Sequence, residues 1–271
     1  MNSIGFIGGG VMAEAMIRGL LSRGLLEPSQ VFVYDADPSR SEWLSIELGL
    51  SVMPHASHVC DAVQGAVIIA VKPDVVDSVM NDIRGAVEPE RNVIISVAAG
   101  ISLDRVQQIA KPGTRVVRVM PNTPCLVREG VSCYTLGQNC RAEDGALVQQ
   151  IFSAIGTVHE VPEKQLDAVT GLTGSGPAYV FMFIEALADG AVLNGLPRST
   201  ARTLAAEMVC GAAQMVKANP SVHPAELRNR VESPAGTTIS ATNALEHGGF
   251  RAAVIDAVTA AAEKSRAMGK K

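Results

Sequence analysis

The sequence predicts an α/β protein in two parts, a doubly wound parallel sheet over residues 1–161 and an all-α domain over residues 162–271. Three observations carry this. Short β-branched runs alternate with helical stretches in the first part, a glycine-rich turn follows the first of those runs, and after Pro162 helical patterning takes over. With 271 residues, 47% of them hydrophobic and 18% charged, the chain has a globular composition and length enough for one large or two ordinary domains.

The predicted strands are Ile4-Gly5-Phe6-Ile7, Val31-Phe32-Val33-Tyr34, Val67-Ile68-Ile69-Ala70-Val71, Val93-Ile94-Ile95-Ser96-Val97 and Val116-Val117-Arg118-Val119. Apolar runs of this length, punctuated by Gly and Pro, suit parallel strands buried on both faces between crossover helices. In the second part Pro177, Pro197, Pro224 and Pro234 each stand where a helix can begin. The segment from Thr200 to Val216 is apolar or small nearly all round, more than one small domain can cover, so it predicts a face shared with a partner subunit.

Several classes of partner are disfavoured. Lys and Arg number 23 against 27 Asp and Glu, so no basic excess exists to follow a phosphate backbone, and aromatics for base stacking are only 4%. Nucleic acid is not an expected partner. Five cysteines, Cys60, Cys125, Cys133, Cys140 and Cys210, form an odd set without a C-x-x-C pair or a His at ligand spacing, which predicts reduced thiols, no metal and a cytoplasmic location. The start Met1 to Val11 lacks a basic flank and a cleavage site. The longest apolar run, Ala178 to Ile184, stops at Glu185, short of the ~20 residues of a bilayer span, so no membrane association is expected.

After the first strand, Gly8-Gly9-Gly10-Val11-Met12-Ala13 matches G-x-G-x-x-A. Gly8 permits the tight turn, Gly10 lets backbone approach a pyrophosphate, and small Ala13 lets helix and strand pack closely. The first part therefore reads as a Rossmann-type dinucleotide-binding domain, with Gly8, Gly10, Val11 and Met12 at the cofactor. The second strand ends Tyr34-Asp35-Ala36-Asp37-Pro38-Ser39-Arg40. Asp35 there suits a ribose 2′-hydroxyl and NADH, whereas Arg40 or Ser39 suits a 2′-phosphate and NADPH.

Five further blocks are more specific than the glycine pattern: Ala70-Val71-Lys72-Pro73, Arg118 to Pro124 (RVMPNTP), Thr170 to Tyr179 (TGLTGSGPAY), His223 to Leu227 (HPAEL) and Ser233 to Thr238 (SPAGTT). Together they resemble the pyrroline-5-carboxylate reductase family, from Ile4 to about Ser265. The resemblance implies reduction of the cyclic imine 1-pyrroline-5-carboxylate to L-proline by NADPH or NADH, the last step of proline biosynthesis. It also implies a helical domain that interlocks with a second subunit as a homodimer or larger homo-oligomer. Ala235 stands where many relatives have a second glycine, a departure expected to matter little, and Ala56 where some have an asparagine near the adenosine.

Reducing a C=N bond requires a hydride donor against the carbon, a proton for the nitrogen and a clamp for the carboxylate. The cofactor supplies the hydride. An imine is basic enough to become an iminium near neutral pH, so a hydroxyl or water suffices as proton source and no His/Asp dyad is required. His55, His58, His159, His223 and His247 read as solvated or structural. Lys72 followed by Pro73 reads as a strand-end turn that, with Val71, borders the cofactor rather than as a base. Ala98 and Ala99 end another strand on the ligand-binding edge, and Asn122, between prolines, offers an amide to orient the nicotinamide or the imine, or else forms a plain turn. Glu185 and Asp189 could imitate a metal pair but read as a solvated or interface face.

Ser175-Gly176-Pro177 reads as the start of a helix Ala178–Leu193 with Ser175 as its cap, and the resemblance places Ser175 and Gly176 beside the substrate. Because Gly8 to Ala13 already serves the pyrophosphate, the second helix start at Gly236-Thr237-Thr238 is left for the substrate carboxylate. Backbone N–H groups of Gly236, Thr237 and Thr238, with the Ser233 hydroxyl, form the expected cradle, and the Thr238 hydroxyl is the expected aid to protonation. NADPH is expected as the preferred cofactor with NADH tolerated, the resemblance and Arg40 outweighing Asp35. Another imine or β-hydroxyacid reductase would want a Lys or Asp within Thr170–Tyr179, which has neither. A non-catalytic NAD(P)-sensing dimer would need no carboxylate cradle.

Overall fold

In the computed structural model, which describes residues 1–269, the chain forms two compact units. The first comprises Met1–Ser175 with the chain from Ala260 onward; the second is Gly176–Thr259. The first unit is built on β1 (Ile4–Ile7), β2 (Val31–Tyr34), β3 (Ser51–Val52), β4 (Gly65–Ile69), β5 (Asn92–Ser96), β6 (Arg115–Met120), β7 (Gly130–Leu136) and β8 (Gly156–Glu160). These form one sheet in the order β3-β2-β1-β4-β5-β6-β7-β8. Among the described residues only the β6–β7 pairing is antiparallel. Helices α1 (Val11–Ser22), α2 (Pro38–Leu48), α3 (Ala56–Ala62), α4 (Val76–Ile83), α5 (Leu103–Ile109) and α6 (Ala142–Phe152) connect the strands.

The sheet is covered on both faces, and the strands show it residue by residue. Ile4 and Phe6 join one core cluster with Met16, Leu20 and Phe152; Ile7 joins the other with Val59, Val67, Met80 and Ile83. Alternate residues point to opposite faces of a strand, so runs apolar at every position are what a doubly covered sheet needs. Strand order reverses between β1 and β4, and ligands of such sheets bind at the carboxyl ends of strands beside that reversal. Strands β3 and β7 escape the sequence reading because the first is short and the second mixed in composition, whereas the strand expected to end near His159 is β8.

By compactness the chain divides at 175/176, whereas the strand patterning divides it at 161/162. Strand patterning ends near Val161, but the chain beyond it stays with the sheet. The buried Arg118 of β6 lies 3.1 Å from Glu163 and 3.8 Å from Asp167, and Asp167 accepts a 2.6 Å bond from the Ser265 hydroxyl. Long-range side-chain bonds thus extend the first unit past its last strand and bring the end of the final helix back to it.

After Pro162 come α7 (Leu166–Val169), α8 (Gly176–Leu193), α9 (Arg198–Ala218), α10 (Pro224–Asn229), α11 (Thr237–His247) and α12 (Phe250–Gly269). The expected capped start at Ala178 is not what forms. Glu163–Leu193 is one helical run of 31 residues with a π-turn at Thr170–Gly174. Ser175 is helical in backbone and its N–H bonds the Thr170 carbonyl at 2.9 Å, so it does not cap a helix. By length and composition this run is apolar enough to cross a membrane, which the segment Ala178 to Ile184 alone is not. Pro234 does not start a helix either; α11 begins at Thr237 with Gly236 as its cap.

The second unit buries little by itself. Helices α8 and α9 meet through Ala188, Ala201 and Ala205, small residues that allow close approach. Leu204, Met208 and Met215 on α9 remain at least half exposed. An apolar groove of about 640 Å³ runs along Tyr179, Met182, Phe183, Leu187, Phe250 and Val254.

Candidate active site

The glycine turn between β1 and α1 is held from three sides. Gly8 has φ +94°, and a Cβ there would stand 2.5 Å from the Ala70 carbonyl oxygen at the end of β4. Only glycine permits both that conformation and that approach. Gly9 donates its N–H to Asp35 Oδ2 at 2.6 Å, and its carbonyl accepts from Arg40 Nε at 2.6 Å. Gly10, the cap of α1, is exposed, and no atom lies within 4 Å of where its Cβ would be. The first bond of α1 is Glu14 N–H to the Gly10 carbonyl, so the N–H groups of Val11, Met12 and Ala13 have no helical partner. Val11 is exposed beside them, while half-buried Met12 packs with its sulfur 3.6 Å from that of Cys125. An open glycine, free donors and a helix start fit a pyrophosphate.

The end of β2 differs from what the sequence suggests. Arg40 also bonds Glu14 at 2.6 Å through Nη2 and stacks 4.4 Å above the Trp43 ring. Burial pushes the Glu14 carboxyl up, yet bonds from Arg40 and Arg18 together hold it below its ordinary range. Arg40 thus clamps the glycine turn, with its charge paired to Glu14. Asp35 shares that duty: besides Gly9 it accepts from Asp37 N at 2.9 Å. Asp37 caps α2 through Ser39, whose hydroxyl and N–H bonds lower its carboxyl.

The carboxyl ends of β4, β5 and β6 carry the other expected contacts. Val71 is half-buried against Gly8, and Lys72 is exposed at the start of the turn Pro73–Val75. Ala98 is buried in the core and Ala99 half-buried, so what this turn has to offer a ligand is its backbone. Asn122 is the exception. Its side chain is buried, Oδ1 accepts from Val131 N at 2.8 Å, and Nδ2 donates to the Thr173 carbonyl at 3.0 Å. Pro177 has no N–H, so the Thr173 carbonyl four residues earlier lacks its helical donor, and Asn122 replaces it. The Asn122 amide thus positions the 170–175 turn. Ser175, half-buried, is the last residue of that unit, and half-buried Gly176 opens α8.

In the second unit the Ser233–Thr238 turn repeats the geometry of the first helix start. Gly236 caps α11 with φ −76° and ψ 170°, as Gly10 caps α1 with φ −65° and ψ −174°. One expected donor is already taken: Gly236 N–H bonds the Ser233 carbonyl at 3.0 Å and closes the turn. The first bond of α11 is Ser240 N–H to the Gly236 carbonyl, so the donors that remain are those of Thr237, Thr238 and Ile239. A Cβ on Gly236 would stand 2.3 Å from Ser233 Oγ, which places that hydroxyl against the turn. Thr237 is exposed and Thr238 half-buried. Ala235 has φ 56°, a conformation that favours glycine, so the alanine matters more than the sequence reading allowed.

The remaining polar groups have local tasks. His223 caps α10 and His247 lies on its own helix turn. Asp189 pairs with Arg198, and Glu185 shares a hollow with Arg198 and Arg202. Among the described residues no three His, Cys, Asp or Glu side chains group as metal ligands. Burial pushes the Cys60 thiol up to about 12. Sequence reasoning missed Glu163, Asp167, Glu232 and Thr242, whose side chains bond residues elsewhere in the chain that no local motif marks.

A glycine turn at the point of strand reversal, with a separate helical unit whose α11 start also leaves N–H groups without helical partners, is the architecture of a two-part nicotinamide-dinucleotide oxidoreductase. The sequence profile described as "NADP oxidoreductase coenzyme F420-dependent" matches residues 3–100, and that described as "Pyrroline-5-carboxylate reductase dimerisation" matches residues 163–268. Pyrroline-5-carboxylate reductase of Methanosarcina acetivorans is 43% identical over 99% of this chain and 98% of its own length. The Escherichia coli enzyme of the same name is 40% identical over 98% of each. The structure of Plasmodium falciparum pyrroline carboxylate reductase with NADP bound superposes with a TM-score of 0.89 at 33% identity, covering 98% of both chains. The chain belongs to the pyrroline-5-carboxylate reductase family.

Proposed function

We propose that this chain reduces 1-pyrroline-5-carboxylate to L-proline, using NAD(P)H and one proton for each imine reduced. The observation that carries the reading is the second helix start. It offers the N–H groups of Thr237, Thr238 and Ile239 to an anion, while the dinucleotide has its own helix start at α1. Nicotinamide, when bound, supplies the hydride. The chain's own residues do the rest: Gly8 to Met12 hold the diphosphate, the turns at Val71–Pro73 and Ala98–Ala99 border the cofactor, and Asn122 fixes the turn that ends at Ser175. The Ser233–Thr238 cradle holds the substrate carboxylate, with Ser175 and Gly176 as further substrate contacts implied by the family. The Thr238 hydroxyl has no partner among the described residues, which supports its use as the donor to the imine nitrogen. Protonation of the nitrogen would leave the imine carbon the better acceptor of a hydride.

Both nicotinamide cofactors are accepted in this reading. The NADPH preference expected from Arg40 loses that support, since Arg40 is paired with Glu14 and bonded to Gly9. Asp35 and Asp37 beside it would repel a 2′-phosphate and support NADH at least equally. The exposed apolar residues of α9 and the groove along α8 and α12 support a homodimer, and they account for the apolar run Glu163–Leu193 without a bilayer. A cytoplasmic location, a small-molecule substrate and no nucleic-acid or membrane partner complete the proposal. The test is cofactor oxidation, followed by absorbance, with pyrroline-5-carboxylate and each cofactor in turn. Turnover with either supports it, and failure with both would overturn it.

A further inference from the structure

We infer that Glu232 is a positioning residue for the substrate carboxylate, acting as a brace across the Ser233–Thr238 turn; this rests on reading that turn as the carboxylate cradle. Glu232 stands immediately before Ser233, and its side chain is only 11% exposed. Its Oε1 accepts a 2.7 Å bond from the Thr242 hydroxyl, one helical turn beyond Thr238 on α11. Its Oε2 lies 3.5 Å from Arg228 Nε on α10. The segment that enters the turn is thereby tied to the helix that leaves it.

The turn needs such a tie. Its one internal backbone bond is Gly236 N–H to Ser233 carbonyl at 3.0 Å, and it contains Ala235 at φ 56°. An alanine in that conformation favours release of the turn. Release would separate the Ser233 hydroxyl from the N–H groups of Thr237, Thr238 and Ile239 and spoil their convergence on one anion. The Thr242 hydroxyl has one proton to give, and the Glu232 carboxylate at 2.7 Å takes it ahead of the Ile239 carbonyl at 3.2 Å.

Charge is managed as well as geometry. A carboxylate one residue from an anion cradle would repel the substrate if it stood alone. Arg228 lies between Glu232 and Glu246, 3.8 Å from the latter, and Arg251 pairs with Glu246 at 2.7 Å, so two cations balance two carboxylates. The brace therefore holds the turn without setting a net negative charge beside it.

The experiment measures kcat and KM for pyrroline-5-carboxylate, cofactor KM and Tm on the full oligomeric enzyme for Glu232→Ala, Thr242→Val and Glu232→Gln, with Ser233→Ala as reference. Glu232→Ala and Thr242→Val should each raise substrate KM about fivefold, with kcat within about twofold and cofactor KM unchanged. Glu232→Gln keeps an acceptor for Thr242 and should restore KM to near wild type. A residue that only stabilised the fold would lower Tm and active fraction without moving KM, and that result would overturn the brace. So would a raised KM in Ser233→Ala with neither Glu232→Ala nor Thr242→Val affected. If none of the three raises KM, the carboxylate is held elsewhere and the cradle reading itself fails. Thr242→Val, nearly equal in volume, decides the matter should Glu232→Ala not fold.

Discussion

Replacing Arg40 by alanine separates two readings of the cofactor end of the sheet. The substitution removes a charged donor from the Gly9 carbonyl and an ion pair from Glu14, where the two side chains are 24% and 22% exposed. It also removes the cation stacked on Trp43. A hydrogen bond from a charged group contributes about 1.5–3 kcal/mol net, and a solvent-reached ion pair about 0.2–1 kcal/mol. Taking the low end of each gives a destabilisation of about 2 kcal/mol, or about 4–8 °C in Tm for a chain of this size. Asp35 still holds the Gly9 N–H, so the turn loosens without collapsing. A loss of about 1 kcal/mol in cofactor binding corresponds to about a fivefold rise in KM, equal for NADPH and NADH. Initial rates with each cofactor at saturating imine, together with a thermal melt, test this. A tenfold rise for NADPH with NADH unchanged would refute the clamp and make Arg40 a reader of the 2′-phosphate. The variant also has a pH signature. Glu14 is held below the ordinary 4.5 of a glutamate, so its contribution is present above that value and is lost as pH falls through the lowered one. Without Arg40 less is there to lose, and the stability advantage of wild type should narrow on acidification below 4.5.

Thr238→Ala keeps the backbone donors and removes one hydroxyl, so kcat should fall by up to ~10²-fold with a modest rise in substrate KM, Thr237→Ala serving as the milder control; unchanged kcat and KM would move the proton source to Ser175 or water. Ala235→Gly relieves a positive φ of 56° and, after the added entropy of the unfolded chain, should gain about 0.5–1 kcal/mol, read as a Tm rise of a few degrees. Asn122→Ala leaves the half-buried Val131 N–H and Thr173 carbonyl without their side-chain partner and should cost about 1–3 kcal/mol in thermal or denaturant unfolding. Ala212→Glu places a carboxylate on the stripe of Leu204, Met208 and Met215; it is exposed in the single chain, so light scattering should show loss of the dimer, and a fully assembled, active variant would refute that interface.

What the residues determined alone is what depends on neighbours along the chain. Val67 to Val71 and Val93 to Val97 had to be buried on both faces, because no amphipathic period runs through them. Gly8 before Gly10 and Ala13 had to be a tight turn into a helix, and the six residues SPAGTT had to open another. The blocks that carry the family resemblance were likewise legible, since each is contiguous. Tertiary structure decided the rest, because it depends on bonds between residues far apart in sequence. The Arg40–Gly9 bond spans 31 residues and makes Arg40 a clamp on the glycine turn. The Asn122–Thr173 bond spans 51, and it lets a helix continue through Pro177 where the sequence indicated a new start. The Ser265–Asp167 bond spans 98 and moves the unit boundary past the last strand. A local pattern records which groups lack a partner within their own turn or helix; only the folded chain brings up the distant group that satisfies them.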